Sequence, residues 1–484
     1  MGMFETTGRR EAGAERKENT LRKLERMKTA LSHREPDRVP ISDFFWGGFI
    51  RRWRQELNLP ADANPYYYYD LDWIVTVPNM DPWIRPFETL RESPHEVTVK
   101  TGFGAILRKV YDFPMPEFVG WELDTLEKLE AAVATFDRPQ DRRRYFEAGD
   151  NQIAGVGDGF ERNSPPWVNT VNSLWPDFPV FGSIIEVNEC LTRLIGPENH
   201  LLWLGMEPER MAAVVTFDSP HDRRRYFEAG DNQIAGVGDG FERNSPPWVN
   251  TVNSLWPDFP VFGSIIEVNE CLTRLIGPEN HLLWLGMEPE RMAAVVAQIG
   301  RFYLECAQAQ IAAAAGKLDG FVIWGDIAYK CGTFMNPAFW REHYKPWVKA
   351  IVEHCHRQGL MVIYHGCGNV QAVMDDFVEI GVDAYNPLEV KAGMDVVDLR
   401  RRLGHSIGFC GNSDVMVWEK GDKAAIRREV LRKLNAAKGG GYIFQSDHSV
   451  ASDVSGQTYD MIVKWVREFG KYPLALGAFD ETMP

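Results

Sequence analysis

Short apolar runs alternate with longer amphipathic segments along most of the chain. Eight runs predict strands: RVPIS (38–42), WIVTV (73–77), FPVFGSII (which occurs at both 178–185 and 259–266), LDGFVIW (318–324), LMVIYH (360–365), VDAYN (382–386), HSIGFC (405–410) and GYIFQ (441–445). Segments between the later strands, such as NVQAVMDDFVEIG, have apolar residues three and four positions apart and predict helices. This alternation predicts an α/β fold with a parallel sheet. Eight strands favour a (β/α)8 TIM barrel over a doubly wound sheet.

A near-exact duplication interrupts this pattern. Residues 135–215 recur as residues 216–296, and the two copies of 81 residues differ at only two positions. Solenoid proteins instead contain many diverged repeats of roughly 20–50 residues. Because a closed barrel has a fixed number of strands, we expect one copy in the barrel and the other extruded. Removing one copy leaves 484 − 81 = 403 residues, which we interpret as the functional core. The alternative is an added module with its own role.

Composition and charge exclude several classes of protein. The net charge is −15 and no Lys/Arg stripe is present, which argues against a nucleic-acid partner. No apolar run approaches the roughly 18 residues of a membrane span. Residues 1–20 are polar, lack a signal-peptide core and predict a disordered tail before one domain over 21–484. Seven scattered cysteines indicate a reduced, cytoplasmic setting rather than a disulfide framework. The oligomeric state stays open.

Polar residues follow the predicted strands at the ends where barrel enzymes carry their active sites. They are Asp326, His365, Cys367, Asn386, Glu389, Cys410, Asn412, Asp447 and His448. The alternative is that these are ordinary loop residues, because loops are polar wherever they occur. The concentration of histidine, cysteine and carboxylate side chains on one rim nevertheless favours a catalytic site.

His365 and Cys367 form a candidate metal-binding pair. A strand places residues two apart on the same side, so both side chains can face one point. Zinc requires three or four nitrogen, sulfur or oxygen ligands, and His448 is the best candidate for the third. Candidates for a fourth ligand are Glu389, Cys410 and Asp447. The alternative is that the pair simply ends a strand.

Asp326 lies in the segment WGDIAY, directly after a predicted strand. It is a candidate general base or orienting carboxylate. The equally weighted alternative is a cap that accepts hydrogen bonds from backbone amides.

Several motifs together resemble the uroporphyrinogen decarboxylase (URO-D) superfamily. They are REPDRVPI (34–41), GDIAYKCGTFMNPAFWREHYKPWV (325–348), HGCGN (365–369), GVDAYNPLE (381–389) and GGGYIFQSDHSVASDVS (439–455). The resemblance covers about residues 20–475, with one copy of the repeat redundant. It implies a (β/α)8 barrel enzyme.

Two branches of this superfamily give different expectations. The decarboxylases are metal-free and use arginines from an RQAGRY motif, where this chain has DFFWGGFIRRWRQE (43–56). Asp72 is a loose counterpart of their catalytic aspartate. The zinc-dependent methyltransferases, which work with corrinoid proteins, use a His-x-Cys that matches His365 and Cys367. Their later cysteine falls at His448, so the ligand set differs.

The resemblance therefore implies a methyltransferase that acts between a corrinoid protein and a small molecule. It implies zinc at His365, Cys367, His448 and Glu389, and catalytic roles for Asp326, His448 and Asp72. Substrate-binding roles are expected for Trp46, Asn386, Asn412 and Asp447. The alternatives are uroporphyrinogen decarboxylation at a divergent site, or a non-catalytic binding protein or inactive product of the duplication.

Overall fold

The computed structural model describes residues 16–60, 63–76, 78–85, 87–110, 116–146, 149–151, 242–245 and 248–483. Its α-helices are α1 (Glu18–Leu31), α2 (Gly47–Glu56), α3 (Pro65–Tyr68), α4 (Leu126–Val133), α5 (Arg143–Phe146), α6 (Trp248–Leu255), α7 (Val268–Ile276), α8 (Pro278–Met287), α9 (Pro289–Ala313), α10 (Pro337–His343), α11 (Lys345–Arg357), α12 (Met374–Ile380), α13 (Val396–Leu403), α14 (Val415–Glu419), α15 (Lys423–Lys433) and α16 (Gly456–Phe469). Among these described helices, none is both long and apolar enough to cross a bilayer.

The strands are β1 (Ile74–Val75), β2 (Glu88–Glu92), β3 (Glu96–Lys100), β4 (Ala105–Val110), β5 (Glu117–Trp121), β6 (Gly149–Asn151), β7 (Glu242–Ser245), β8 (Val261–Ile266), β9 (Gly320–Trp324), β10 (Ala328–Tyr329), β11 (Gly332–Thr333), β12 (Met361–Gly366), β13 (Ala384–Pro387), β14 (Gly408–Cys410) and β15 (Tyr442–Ile443). Within the described residues, seven of them form one parallel sheet in the order β1-β8-β9-β12-β13-β14-β15. The helices cover this sheet, so the fold is mixed α/β.

The sheet curls, because one short segment hydrogen-bonds to both of its edge strands. Phe444 N donates to Pro40 O (2.9 Å) and Ser42 N donates to Phe444 O (3.2 Å), at the β15 edge. Asp72 N donates to Ile41 O (2.9 Å), at the β1 edge. The predicted strand 38–42 therefore lies between the two edges, although only isolated parallel bridges are formed there.

The helix boundaries follow from local chemistry. Asp395 caps α13 by accepting from the amides of Val397 (2.9 Å) and Asp398 (3.0 Å), which would otherwise lack partners. At the C-terminal end of α12, Gly381 takes a left-handed conformation with φ +88°, which residues with a Cβ rarely adopt. The other strands predicted over described residues are also observed, and all of them except β12 are shorter than their apolar runs.

The predicted disordered tail over 1–20 is wrong at its C-terminal end. Helix α1 already begins at Glu18, and the two residues before it are anchored. The Arg16 guanidinium hydrogen-bonds to both carboxylate oxygens of Asp319 and lies 4.5 Å from the ring centroid of Trp256. The Lys17 ammonium forms an ion pair with Asp258 at 2.6 Å.

An antiparallel sheet of β2, β3, β4 and β5 was absent from the sequence prediction. Its strands alternate polar and apolar residues, as in Glu96–Lys100, where Val97 and Val99 are buried. The four strands follow one another along the chain, after β1 and before β8 of the curled sheet. The apolar face packs a small separate core of Phe87, Val97, Val99 and Leu107.

The duplicated unit contributes through parts of both copies. Helix α4 runs directly into the first copy at Thr135, and helix α9 continues through the end of the second copy at Val296. Strand β8 belongs to the second copy, whereas its counterpart 178–185 lies outside the described residues. Chain continuity therefore requires the fold to take the start of copy one and the end of copy two. Which copy is extruded stays a proposal.

Deleting residues 152–232 is expected to preserve the fold. This removes 81 residues and joins Asn151 to Gln233, which restores one uninterrupted repeat in a chain of 403 residues. Since loop-closure entropy rises with loop length, the melting temperature should be unchanged or higher. Circular dichroism melting measures this.

The control deletion removes residues 233–313, also 81 residues, and takes away β8 and α9. It should abolish cooperative melting. Unfolding of the 152–232 deletion would contradict a single barrel with a surplus copy.

Candidate functional site

Three potential metal ligands meet where two neighbouring parallel strands end. Strands β9 and β12 pair in register, with Trp324 opposite His365. Asp326 follows β9, and Cys367 follows β12. One ligand atom from each of Asp326, His365 and Cys367 lies within 4.8 Å of the other two. The parallel register thus brings an oxygen, a nitrogen and a sulfur together at the carboxyl ends of the strands.

The loop after β12 is held in one conformation by backbone hydrogen bonds to carboxylates. Cys367 N donates to Asp326 Oδ1 (2.7 Å), and Gly368 N donates to Glu389 Oε2 (2.8 Å). Gly368 has φ +85°, and a Cβ there would lie 2.5 Å from Ala328 O. The glycine is therefore required for this turn beside the cysteine.

Asn386 fixes the orientation of the His365 ring. Its Nδ2 donates to Cys410 O (2.8 Å), which leaves Oδ1 as the atom facing His365 Nδ1 at 2.6 Å. The amide oxygen can only accept, so the proton of a neutral imidazole is on Nδ1. His365 Nε2 then keeps its lone pair and lies 3.8 Å from Cys367 Sγ. Such an arrangement is usual behind metal-binding histidines.

Burial controls the protonation of this cluster. It lowers the pKa of His365 to about 4, against the opposing effect of the Asn386 hydrogen bond, so the imidazole is neutral at pH 7. It also raises the pKa of Asp326 to about 7, with the Glu270 charge as the next cause. Metal ions bind deprotonated ligands. The neutral His365 imidazole meets this condition, and a bound cation would favour the ionised form of the Asp326 carboxyl.

The distances suit zinc. Zinc binds nitrogen at roughly 2.1 Å and sulfur at roughly 2.3 Å, so a tetrahedral angle separates the two ligand atoms by about 3.6 Å. The observed separation of His365 Nε2 and Cys367 Sγ is 3.8 Å. Asp326 supplies a carboxylate as a third donor. The residues present therefore fit zinc with one position left for a substrate.

The third member of the compact group is Asp326, whereas the sequence predicts His448 as the third ligand. Asp326 belongs to the compact group, whereas His448 and Glu389 do not. His448 is buried nearby, with its ring edge-on to Trp46 at 5.9 Å between centroids. The Glu389 carboxylate contacts Gly368 N and the Lys391 ammonium (3.1 Å) instead. Metal ligation by His448 and Glu389 stays a prediction.

The two other candidates for a fourth ligand are also engaged by the protein. The Cys410 thiol donates to Gln445 Oε1 (3.0 Å), and burial raises its pKa well above the usual value. The Asp447 carboxylate accepts from Val415 N (2.9 Å) and Val390 N (3.0 Å). Asp447 therefore joins the loops after β13, β14 and β15.

Asn412 has a similar structural position. Its Oδ1 accepts from Val396 N (2.9 Å) and Lys433 Nζ (2.6 Å), and its Nδ2 donates to Met394 O (2.9 Å). The backbone takes a left-handed conformation there, with φ +69°. With both ends of its amide hydrogen-bonded within the protein, substrate binding by Asn412 and Asp447 stays a prediction.

Asp72 lies away from the other predicted catalytic residues. It precedes β1, at the amino-terminal end of the sheet, whereas Asp326 and His448 follow the carboxyl ends of strands. Its carboxylate is fully buried against Arg26 (2.6 Å) and Arg38 (2.6 Å), which hold its pKa below the usual value despite burial. The structure thus gives Asp72 a role in closing the base of the sheet and does not bring it to the candidate site.

Aromatic rings line the site beside His365. The ring centroid of Trp324 lies 4.8 Å from that of His365, and Phe44 lies 5.8 Å from Trp324 and 6.4 Å from His365. Phe44 follows the first predicted strand, and the predicted substrate-binding residue Trp46 follows it in the same loop. These rings provide an apolar wall with flat faces.

Four polar residues near the site were missed by the sequence analysis. Glu267, Asn269 and Glu270 follow β8, and Asp43 follows the segment 38–42. Glu267, Asn269 and Asp43 are almost completely buried. The signal was available, because each follows an apolar run that predicted a strand. FPVFGSII and the polar residues that follow it occur in both copies, so the sequence alone did not indicate which copy supplies them.

Comparison with known proteins agrees with the motifs. Residues 250–469 match the family model described as uroporphyrinogen decarboxylase (URO-D). Uroporphyrinogen decarboxylases from Pelobacter propionicus and Magnetococcus marinus are both 26% identical, over 184 and 195 residues respectively. Each alignment covers 38% of this chain, and 51% and 49% of those relatives. The chain thus matches about half the length of these curated relatives.

Solved structures show only distant likeness. A methyltransferase from Methanosarcina mazei is 16% identical, with 52% of this chain and 67% of that chain covered and a TM-score of 0.38. A protein described as a putative vitamin-B12-independent methionine synthase from Listeria monocytogenes is 12% identical, covering 47% and 71%, with a TM-score of 0.33. The protein has a mixed α/β fold, and its candidate site lies at the carboxyl ends of the strands of a parallel sheet. Residues 250–469 thus resemble a URO-D domain, in agreement with the motifs.

Replacing Asn386 by leucine should weaken metal binding roughly 10- to 100-fold, because His365 would lose the partner that fixes its tautomer. Competition with a chromophoric chelator measures the affinity. Asn435, buried and bonded to Phe479 O (2.7 Å), provides a control through Asn435→Leu. Equal affinities in wild type and Asn386→Leu would contradict the orienting role.

Asp43 should make stability depend on pH. Burial raises its pKa to about 8, although Ser446 and Tyr459 hydrogen-bond to it. Because the folded pKa exceeds the unfolded value of about 3.9, its stabilising contribution is complete below pH 4 and is lost as pH rises towards 8. The loss has a slope of at most about 1.4 kcal/mol per pH unit.

Asp43→Asn removes this titration and keeps the shape of the side chain. The stability difference between variant and wild type should therefore shift in favour of the variant from pH 4 to 8 and then level off. Urea unfolding at several pH values measures it. A difference that is constant over this range would exclude a raised pKa at Asp43.

Proposed function

We propose that the curled sheet is a closed (β/α)8 barrel in which the segment 38–42 is the first strand. The support is the pair of hydrogen-bond contacts that this segment makes with β15 and next to β1. Eight parallel strands then surround one core, and the Asp326–His365–Cys367 cluster lies at the end where such barrels carry their catalytic residues.

We further propose that this cytoplasmic protein is a zinc-dependent methyltransferase that exchanges a methyl group between a corrinoid protein and a small thiol. The single observation that carries the proposal is the compact cluster of Asp326, His365 and Cys367. Imidazole nitrogen, thiolate sulfur and carboxylate oxygen are all zinc ligands, and catalytic zinc has three protein ligands and one open position. When bound, zinc supplies a Lewis acid that favours the thiolate form of a thiol.

The chain's own residues would prepare this chemistry. Asn386 keeps the Nε2 lone pair of His365 available, and the amide of Cys367 holds the Asp326 carboxylate in place. Trp324 and Phe44 cover His365 and exclude water from that side. Water exclusion strengthens the interaction of the ligands with a cation and protects a thiolate from protonation.

The corrinoid partner is proposed because methyl transfer to a thiol needs a methyl donor that this chain does not itself supply. A protein-bound corrinoid would approach the carboxyl end of the sheet, where the cluster lies. His448 is placed there too, edge-on to Trp46, and we propose that it contacts the incoming substrate.

Uroporphyrinogen decarboxylation is the alternative, favoured by the names of the curated relatives at 26% identity. Asp72, the loose counterpart of the decarboxylase aspartate, is paired with Arg26 and Arg38 at the other end of the sheet. Of these two aspartates, only Asp326 would then be placed to contact the pyrrole nitrogens of the substrate. A binding protein without catalysis is the remaining alternative.

Metal analysis tests the proposal most directly. We expect about one zinc per wild-type chain and less than about 0.1 in His365→Ala and Cys367→Ser, because each substitution removes one of three ligands. Cys355→Ser is the matched control, since Cys355 is also a buried free cysteine, on helix α11. It should retain the metal.

Zinc below 0.1 per chain in wild type, unchanged by either ligand substitution, would refute the methyltransferase proposal. Turnover of uroporphyrinogen to coproporphyrinogen by the same preparation would establish the decarboxylase instead. If the protein contains no zinc and does not convert uroporphyrinogen, the non-catalytic hypothesis remains.

A further inference from the structure

The first turn of helix α7 carries buried polar atoms that lack partners beside the candidate metal cluster. Glu267 and Asn269 are 1% and 2% exposed. Among the described residues, Glu267 Oε2 and Asn269 Oδ1 have no hydrogen-bond partner. A buried acceptor without a hydrogen-bond partner destabilises the protein, so these two atoms are expected to have a ligand.

These atoms lie close to the cluster. Asn269 Nδ2 donates to the backbone oxygen of Asp326 at 2.5 Å. The side-chain carboxylate of the same Asp326 accepts from Cys367 N. Glu267 Oε1 is already used, because it accepts from Glu270 N (3.0 Å) and caps the helix. Only the second oxygen of Glu267 is therefore available to a ligand.

The surrounding charge favours a cation. Glu267, Glu270 and Asp326 are acidic, and the neighbouring cation Arg274 is already paired with Glu270 through its Nε (3.1 Å) and Nη2. Burial raises the pKa of Glu267 to about 8, and the charges of Glu270 and Asp326 act in the same direction against the opposing backbone hydrogen bonds. The faces of Phe44 and Trp324 on the other side of the cluster also attract cations.

We propose that the thiol substrate carries a protonated amine, which donates hydrogen bonds to Glu267 Oε2 and Asn269 Oδ1 while its sulfur lies at the metal. This rests on the proposed function and adds the chemical class of the substrate. A short carbon spacer between sulfur and nitrogen suffices, because Asn269 is one hydrogen bond from Asp326. An anionic group in the same place would face acceptors and carboxylates only.

Three thiols with the same two-carbon spacer test the proposal. They are cysteamine, 2-mercaptoethanol and 3-mercaptopropionate, which end in an ammonium, a hydroxyl and a carboxylate. Protein loaded with Co²⁺ is titrated with each, and the cobalt–thiolate absorption band reports binding without turnover. Cysteamine should bind at least about tenfold more tightly than 2-mercaptoethanol, equivalent to about 1.4 kcal/mol, and 3-mercaptopropionate most weakly.

The decisive variant is Glu267→Gln. It keeps the helix cap through its amide oxygen and replaces the free acceptor by an NH₂ donor, which opposes an ammonium. Because the three thiols differ in their own acidity, the quantity compared is the cysteamine to mercaptoethanol affinity ratio in variant and wild type. This ratio should fall about tenfold in Glu267→Gln.

The duplication offers a matched control. Glu186 is the counterpart of Glu267 in the first copy, in an identical sequence context. Glu186→Gln should bind all three thiols as wild type does. An unchanged ratio in Glu267→Gln, or preferred binding of 3-mercaptopropionate, would overturn the amine proposal and leave metal binding intact.

A second measurement separates this proposal from the metal chemistry. Calorimetry of metal-free protein with ethylammonium and with ethanol needs no thiol and no cobalt. Ethylammonium should bind to wild type and lose affinity in Glu267→Gln. If no thiol gives a cobalt–thiolate band, the proposed function fails, and ethylammonium binding then still decides whether the amine site exists.

Discussion

The register between strand β12 and its two parallel neighbours is the constraint on which the candidate site depends. It places His365 opposite Trp324 on one side and opposite Asn386 on the other. The first pairing brings Asp326 to the backbone of Cys367, and the second gives the imidazole its partner. A shift by one residue would turn His365 and Cys367 away from the interior face, because strand side chains alternate.

Carboxylates around the site have two distinct tasks. Glu389 and Asp447 accept hydrogen bonds from backbone amides and thereby fix the loops. Asp326 does this with one oxygen and still contributes to the ligand group. The distinction matters for chemistry, because a carboxylate saturated by amides has little affinity left for a cation. Of these three carboxylates, Asp326 is the one that combines an amide contact with a place in the compact group.

Much of the α/β architecture could be predicted, because buried parallel strands are continuous apolar runs and the helices between them are periodic. His365, Cys367 and Asp326 were predictable for the same reason, as polar residues directly after such runs. The antiparallel sheet over 88–121 was not, because two of its strands are largely exposed and none contains a long apolar run. The tasks of Asn386, Asn412 and Asp72 could not be predicted either, since they depend on which backbone atoms lie opposite them.

Chain continuity through the duplicated unit has an evolutionary consequence. The described fold joins the beginning of the first copy, up to Asn151, to the end of the second copy, from Glu242. Glu267 and Asn269 therefore lie in the copy whose end leads into helix α9. Selection on the described fold is expected to act at Glu267 and Asn269, whose counterparts Glu186 and Asn188 lie outside the described residues. In descendants of this gene, the two halves of each copy should diverge at unequal rates.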